Sequence, residues 1–290
     1  MSDRSNFSRR QALKIAAAGF GSSAIGWSVP GAGPSMPVPG SRIKQSVARW
    51  CYKDLSMDEL AKAAAAMGIL GVDLIGPEDW PTVRKHGLIC TMTTGAGTIP
   101  SGLNRKENHD RLEREFRETI PRAAAAGLPN VITFSGNRRG QSDQEGLENC
   151  VIGLNRVKGI AEQHSVTICL ELLNSKIDHQ DYQCDHTAWG VEVVKRVDSP
   201  RVKLLYDIYH MQIMEGDIIR TIRQNTKWIG HFHTGGVPGR NELDETQELN
   251  WAAIMRTIAE TGYSGYVAHE FVPTRDPLKS LEQAVRLCAV

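Results

Sequence analysis

From Lys44 onward, short runs of β-branched and aliphatic residues alternate with longer stretches whose apolar positions recur every three or four residues. The short runs have strand length and the long ones a helical period, so the pattern predicts strand and helix pairs. Eight strands are expected: "KQSVARW" (Lys44–Trp50), "GVDLIG" (Gly71–Gly76), "LICTMT" (Leu88–Thr93), "NVITFSG" (Asn130–Gly136), "VTICLELL" (Val166–Leu173), "VKLLYDI" (Val202–Ile208), "IGHFHT" (Ile229–Thr234) and "GYVAHEF" (Gly265–Phe271). Helical segments fill most of the gaps. "SMDELAKAAAAMG" opens on Ser56 with Glu59 three residues later, which predicts a capping box, and Gly68 supplies a stop. "NHDRLEREFRETIPRAAAAGL" is long and charged on one face, and Pro121 predicts a kink or break within it.

Eight parallel strands, each followed by a helix, in about 250 residues is the size of a (β/α)8 TIM barrel. We therefore expect an α/β fold with a single such barrel over residues 41–290. An open doubly wound sheet is the alternative, but no G-x-G-x-x-G opens a helix after the first strand. In a barrel the C-terminal strand ends form the mouth where chemistry is done. Those ends carry Glu171 on strand five, Asp207 and His210 on strand six, His231 and His233 on strand seven, and Glu270 on strand eight. A charge that interrupts an apolar strand is costly unless it has a partner. For any one of these acids a nearby lysine or arginine would suffice, but four ionisable groups on consecutive strands shift the balance toward a shared cation. Three carboxylates and one imidazole suit Mn²⁺, Mg²⁺, Co²⁺ or Fe²⁺ better than a thiolate-rich zinc site. His231 and His233 share one strand face, with His233 nearer the mouth and His231 expected to pack or support. His269 points to the opposite face from Glu270 and reads as structural.

The composition narrows the partners. The first forty residues hold Arg4, Arg9, Arg10 and Lys14 against Asp3 alone, so 30 basic and 32 acidic residues leave the remainder near −2. That balance argues against a nucleic-acid surface. Residues 1–40 read as an export signal followed by a Pro/Gly linker: "SRRQALK" and the weakly apolar run Ile15 to Val29 resemble a twin-arginine signal, which implies a periplasmic destination. No membrane span is expected beyond it. Six cysteines lack C-x-x-C spacing and read as buried thiols.

"LELLNS", "YDIYHMQ", "IGHFHTGGVPGR" followed by "ELNWAAIM", and "GYVAHEF" together resemble the xylose-isomerase-like barrel superfamily, and most closely its hydroxypyruvate isomerase-like branch. The resemblance implies one divalent metal ion, most often Mn²⁺, held by Glu171, Asp207, His233 and Glu270, with His210 and Arg240 contacting substrate oxygens. The chain also departs from both neighbouring branches. Hydroxypyruvate isomerases commonly carry glutamine where His233 stands, "HTGG" resembles the ketose 3-epimerases, and "VPGR" resembles the isomerases. Epimerases place a second substrate-binding glutamate six residues after the strand-five glutamate, and this chain has Ile177 there.

The expected activity is a metal-dependent isomerase or epimerase that abstracts a proton α to a carbonyl through an enediolate, on a small hydroxy-carbonyl compound or sugar. Glu171 and Glu270 are the candidate catalytic acid and base, with either able to start. His210 could instead do no more than fix Asp207, and Arg240 could be a solvated loop charge. An epimerase or lyase acting on oxidised glycosides shares the chemistry. A non-catalytic sugar-binding barrel is the competing class, and a nuclease-like barrel lacks the histidines and basic groove it would need. A homo-oligomer is compatible with all of these readings. Trp50, Trp80 and the loop Thr93–Asn104 are candidates to line the pocket.

Overall fold

Eight parallel strands, β1 (Lys44–Ala48), β2 (Gly71–Ile75), β3 (Ile89–Ala96), β4 (Asn130–Thr133), β5 (Thr167–Leu172), β6 (Val202–Asp207), β7 (Ile229–Thr234) and β8 (Tyr266–His269), pair in sequence order. β8 then pairs with β1 and closes the sheet into a barrel. The structure is a computed structural model, and it describes residues 38–290. The signal, and all of the linker before residue 38, lie outside the described residues. Helices between the strands cover the outer face, as the alternating pattern predicts, and the fold is a single (β/α)8 barrel. No helix among the described residues is long and apolar enough to cross a membrane.

Two apolar layers hold the barrel together. The larger lies between strands and helices, where Val47, Val72, Val131, Ile168, Leu170 and Leu204 meet helix residues such as Leu60, Phe116 and Ile254. The smaller fills the barrel itself with Met92, Ile132, Cys169 and Leu205, topped by Leu74 and Phe134. This filling comes from β3, β4, β5 and β6, and polar side chains of β2 and of β5 to β7 gather above and beside it. All six cysteines are free thiols, and all but Cys51 are buried.

Most local expectations hold. Ser56 accepts from the Glu59 amide while the Glu59 carboxylate accepts from the Ser56 amide, so the capping box is formed at helix Met57–Ala66. Replacing Ser56 with alanine is expected to lower stability by about 1 kcal/mol, the usual cost of a lost N-cap, read as a shift in urea midpoint at unchanged slope. Two expectations need correction. Pro121 does not break its helix, which runs on over His109–Ala125. Pro121 removes only one backbone bond near the end, and buried Phe116, Ile120 and Ala123 on either side anchor that turn to the core. The sixth strand also stops at Asp207, and a short helix, Ile208–Met214, begins immediately. Asp207 is its N-cap and accepts from the His210 amide at 3.2 Å, so His210 sits on a helix rather than on the strand end.

Candidate active site

β5, β6 and β7 each deliver one ionisable side chain to the same end of the barrel, and Glu270, the first residue after β8, supplies a fourth. The register places Asp207 beside His233, and His233 beside Ala268, two residues before Glu270. Glu171, Asp207, His233 and Glu270 are all buried, and each offers a ligand atom within 4.8 Å of the other three. His233 Nδ1 lies 2.5 Å from Glu270 Oε2, 3.6 Å from Glu171 Oε1 and 3.9 Å from Asp207 Oδ2, yet has no hydrogen bond of normal geometry. A buried ring nitrogen aimed at three carboxylates is a donor placed for a cation. The mixed oxygen and nitrogen set fits a divalent ion of the hard to borderline kind.

Separate pairing of each acid with its own base does not occur. Asp207 and Glu270 share one guanidinium: Arg240 Nη2 is 2.7 Å from Asp207 Oδ2 and 2.5 Å from Glu270 Oε2. No lysine or arginine among the described residues pairs with Glu171. Arg240 is no solvated loop charge, since its side chain is only 14% exposed. It lies between the rings of Trp50 and Tyr209, 5.5 Å and 5.0 Å from their centroids, and donates through Nε to the Glu270 carbonyl. Its backbone is left-handed, φ 57°, a strained conformation for a residue with a side chain.

His210 is fully buried beside the same cluster. Asn174 uses its oxygen to accept from the Ile177 and Asp178 amides, which fixes its Nδ2 as the donor facing His210 Nδ1 at 2.7 Å. Arg240 Nη1 faces the other nitrogen, Nε2, also at 2.7 Å. A neutral imidazole can accept at only one nitrogen. With a donor facing each nitrogen, the ring can accept from only one of them, Asn174 at Nδ1 or Arg240 at Nε2. Burial, with Arg240 beside it, keeps this ring well below the ordinary histidine range and neutral.

The network extends to a residue the sequence reading passed over. Asp73, at 0% exposure in the middle of β2, accepts from His231 Nε2 at 2.5 Å and approaches His233 Nε2 at 3.2 Å through one oxygen. Its other oxygen accepts from Ser46 Oγ at 2.8 Å and from the Thr91 hydroxyl. Burial would raise this carboxyl, but His231 and His233 hold it well below the usual carboxylate range. An anchored carboxylate on Nε2 leaves Nδ1 of His233 as the nitrogen that faces the acids, the arrangement that orients metal-bound histidines. Asp73 carries the same signal as the others, a charge inside an apolar run, but on a strand of the first half. His231 is thus buried and supporting, and His269 bonds Gln45 and Thr234 away from the cluster.

These carboxyls have unequal proton affinities. Burial pushes Asp207 up to about 7, against the pull of Arg240, and raises Glu171 as well. Burial would raise Glu270 too, but Arg240 and His233 hold it well below the ordinary value. Burial would lower His233, but Glu270 first, then Asp73 and Glu171, raise it well above. A cation here would need Glu171, Asp207 and His233 Nδ1 without protons, so affinity for Mn²⁺ is expected to fall as pH drops, first as the raised His233 takes up its proton and then through about 7 as Asp207 does. Titration calorimetry in buffers of different ionisation enthalpy should show proton release on binding; pH-independent affinity without release would contradict the assignment.

Above the cluster lies a cavity of about 570 Å³. Glu171 and Glu270 form part of its floor, and Asp178, His179, His210 and Arg240 line it. Trp50 lines it as well and donates from Nε1 to Glu270 Oε1 at 2.6 Å. The loop after β3 contributes Gly97 and Ile99, whereas Trp80 turns away and lines a different surface depression. Ile177 points outward and is 66% exposed; its neighbour Asp178 occupies the wall, held by Asn174 and the Tyr209 hydroxyl.

A family model described as "Xylose isomerase-like TIM barrel" matches residues 52–289. A human protein provisionally named a hydroxypyruvate isomerase is 26% identical over 253 residues, covering 80% of this chain and 90% of that one. Among solved structures, an AP endonuclease of family 2 from Brucella melitensis superposes with a TM-score of 0.73 at 24% identity, over 83% of this chain and 96% of that one. The 3-keto-D-glucoside 4-epimerase of E. coli does so at 0.70 and 19% identity, over 85% and 100%. With the closed barrel and a match spanning nearly all of it, the chain belongs to the xylose isomerase-like TIM barrel family.

Proposed function

We propose that this chain is a metal-dependent isomerase or epimerase that removes a proton α to a carbonyl in a sugar or other small hydroxy-carbonyl compound. The observation that carries this reading is the convergence of Glu171, Asp207, His233 and Glu270 on the floor of one cavity, with the two glutamates also lining it. A divalent ion, Mn²⁺ for preference, would be held by those four and would acidify the C–H between a carbonyl and its neighbouring hydroxyl. Glu270 begins ionised, because Arg240, His233 and the Trp50 N–H all favour its charged form, and it is our candidate for the initial base. Glu270 itself, or Glu171 across the floor after taking up a proton from solvent, delivers a proton to the adjacent carbon or the opposite face. Once Arg240 is drawn off Nε2, His210 can accept from Asn174 at Nδ1 and present Nε2–H to a substrate oxygen, while Arg240 binds a second oxygen of the developing enediolate.

The relative named as a hydroxypyruvate isomerase and the solved keto-glucoside epimerase both support this class of reaction. A nuclease is disfavoured because Arg240 is the only lysine or arginine among the cavity residues, beside several acids. Export through the twin-arginine route remains part of the proposal, and places the enzyme in the periplasm. The test is solvent deuterium exchange, followed by NMR, into hydroxypyruvate, ketoses and keto-glucosides with and without Mn²⁺. Exchange that needs the metal supports an enzyme of this class; tight sugar binding with no exchange into any compound points to the non-catalytic barrel.

A further inference from the structure

Two consecutive residues of β2 face the barrel interior. Asp73 does so to hold the two histidines, and strict alternation would then send Leu74 outward toward the helices. Instead, the pairing with β3 shifts register on both sides of Asp73, and Leu74 adopts a left-handed backbone, φ 61°. The bulge turns the leucine onto the cavity wall. Such a conformation is unfavourable for a residue with a branched side chain, and strain of this kind is retained where the site requires it.

Leu74 joins a continuous apolar wall with Ile99, Ile132, Phe134 and Leu173. The mouth continues it. Of the large apolar side chains exposed among the described residues, Trp50 lines this cavity. Asp178, His179, His210 and Arg240 make the other side polar. A cavity of about 570 Å³ with these two faces would leave a three-carbon substrate surrounded by water against hydrocarbon. Its polar side suits sugar hydroxyls, and its apolar side suits something a bare sugar lacks.

We propose that the substrate is a glycoside: a hydroxy-carbonyl sugar unit over Glu171 and Glu270, carrying an apolar aryl or alkyl aglycone against Leu74, Ile99, Ile132, Phe134 and Leu173, with Trp50 at the entrance. This rests on the isomerase or epimerase reading for the chemistry, but the subsite itself is tested separately. The full chain loaded with Mn²⁺ is given methyl and phenyl 3-keto-glucosides and hydroxypyruvate, and both kcat/KM for deuterium exchange and Kd by calorimetry are measured. The phenyl compound is expected to exceed the methyl one by about tenfold or more in each. Leu74→Asn, which keeps a side chain tolerant of the left-handed backbone, should erase most of that preference without lowering Tm. Equal binding of phenyl and methyl compounds, or a preference unchanged in Leu74→Asn, overturns the subsite. Exchange into hydroxypyruvate at least as efficient as into the phenyl glycoside also overturns it, while leaving the class of reaction standing. Absence of exchange into every compound counts against the reaction class, and the calorimetric comparison still decides the subsite.

Discussion

Glu270→Gln is expected to abolish metal-dependent deuterium exchange, with a loss of about 10²–10⁴-fold or more, the range associated with removing a positioned general base. The substitution keeps the size of the side chain and one oxygen, so Mn²⁺ should still bind, though more weakly. What it removes is the ionised group that Arg240, His233 and Trp50 together maintain. Glu171→Gln should differ in kind. If Glu270 takes the proton and Glu171 delivers one from solvent, exchange of the abstracted proton should persist in Glu171→Gln while net conversion to product falls. Comparing exchange with product formation in the two variants separates the roles. Full exchange in Glu270→Gln, with metal bound, would remove it from the chemistry.

Asp73→Asn is expected to weaken Mn²⁺ binding by about 10–100-fold, although Asp73 is not among the four proposed ligands. The carboxylate accepts from His231 and lies 3.2 Å from His233 Nε2, which fixes the orientation of the ring that reaches the cluster. An amide offers one acceptor and one donor in place of two acceptors, and each oxygen serves two buried partners, so one pair, Ser46 and Thr91 or His231 and His233, loses its acceptor. Leaving such a group unsatisfied costs about 1–3 kcal/mol, so a lower Tm in the absence of added metal should accompany the weaker binding. A structural role alone would lower Tm and leave the Mn²⁺ dissociation constant unchanged in the folded protein. The two readouts together therefore distinguish orientation of His233 from simple support of the core.

How much of this site could be read from the chain follows from where each signal resides. Glu171, Asp207, His233 and Glu270 stand out because each places an ionisable group beside or within an apolar strand, and the barrel brings such positions together. Asp73 sits in "GVDLIG" with the same signature, on a strand of the first half. Other features depend on tertiary structure. The helix that carries His210 begins at a boundary where Asp207 serves as both strand end and cap, and the apolar run around it gives no sign of the switch. Leu74 reads as an outward-facing strand residue because alternation is a local rule, whereas the bulge that turns it inward belongs to the pairing of β2 with β3. Pro121 carries an intrinsic preference to end a helix, and the buried residues around it outweigh that preference. The displacement of Ile177 by Asp178 on the cavity wall likewise depends on Asn174 folding the loop around its own side chain.

The central claim is that Glu171, Asp207, His233 and Glu270 hold a single ion. A crystal of the full chain soaked in Mn²⁺, with anomalous diffraction recorded above and below the manganese edge, tests it most directly. The account predicts one strong anomalous peak within bonding distance of all four side chains, with Arg240 withdrawn from Asp207 and Glu270. A peak at Asp73, His231 and His233 instead, or no peak among the four with Arg240 still bridging the carboxylates, would contradict it.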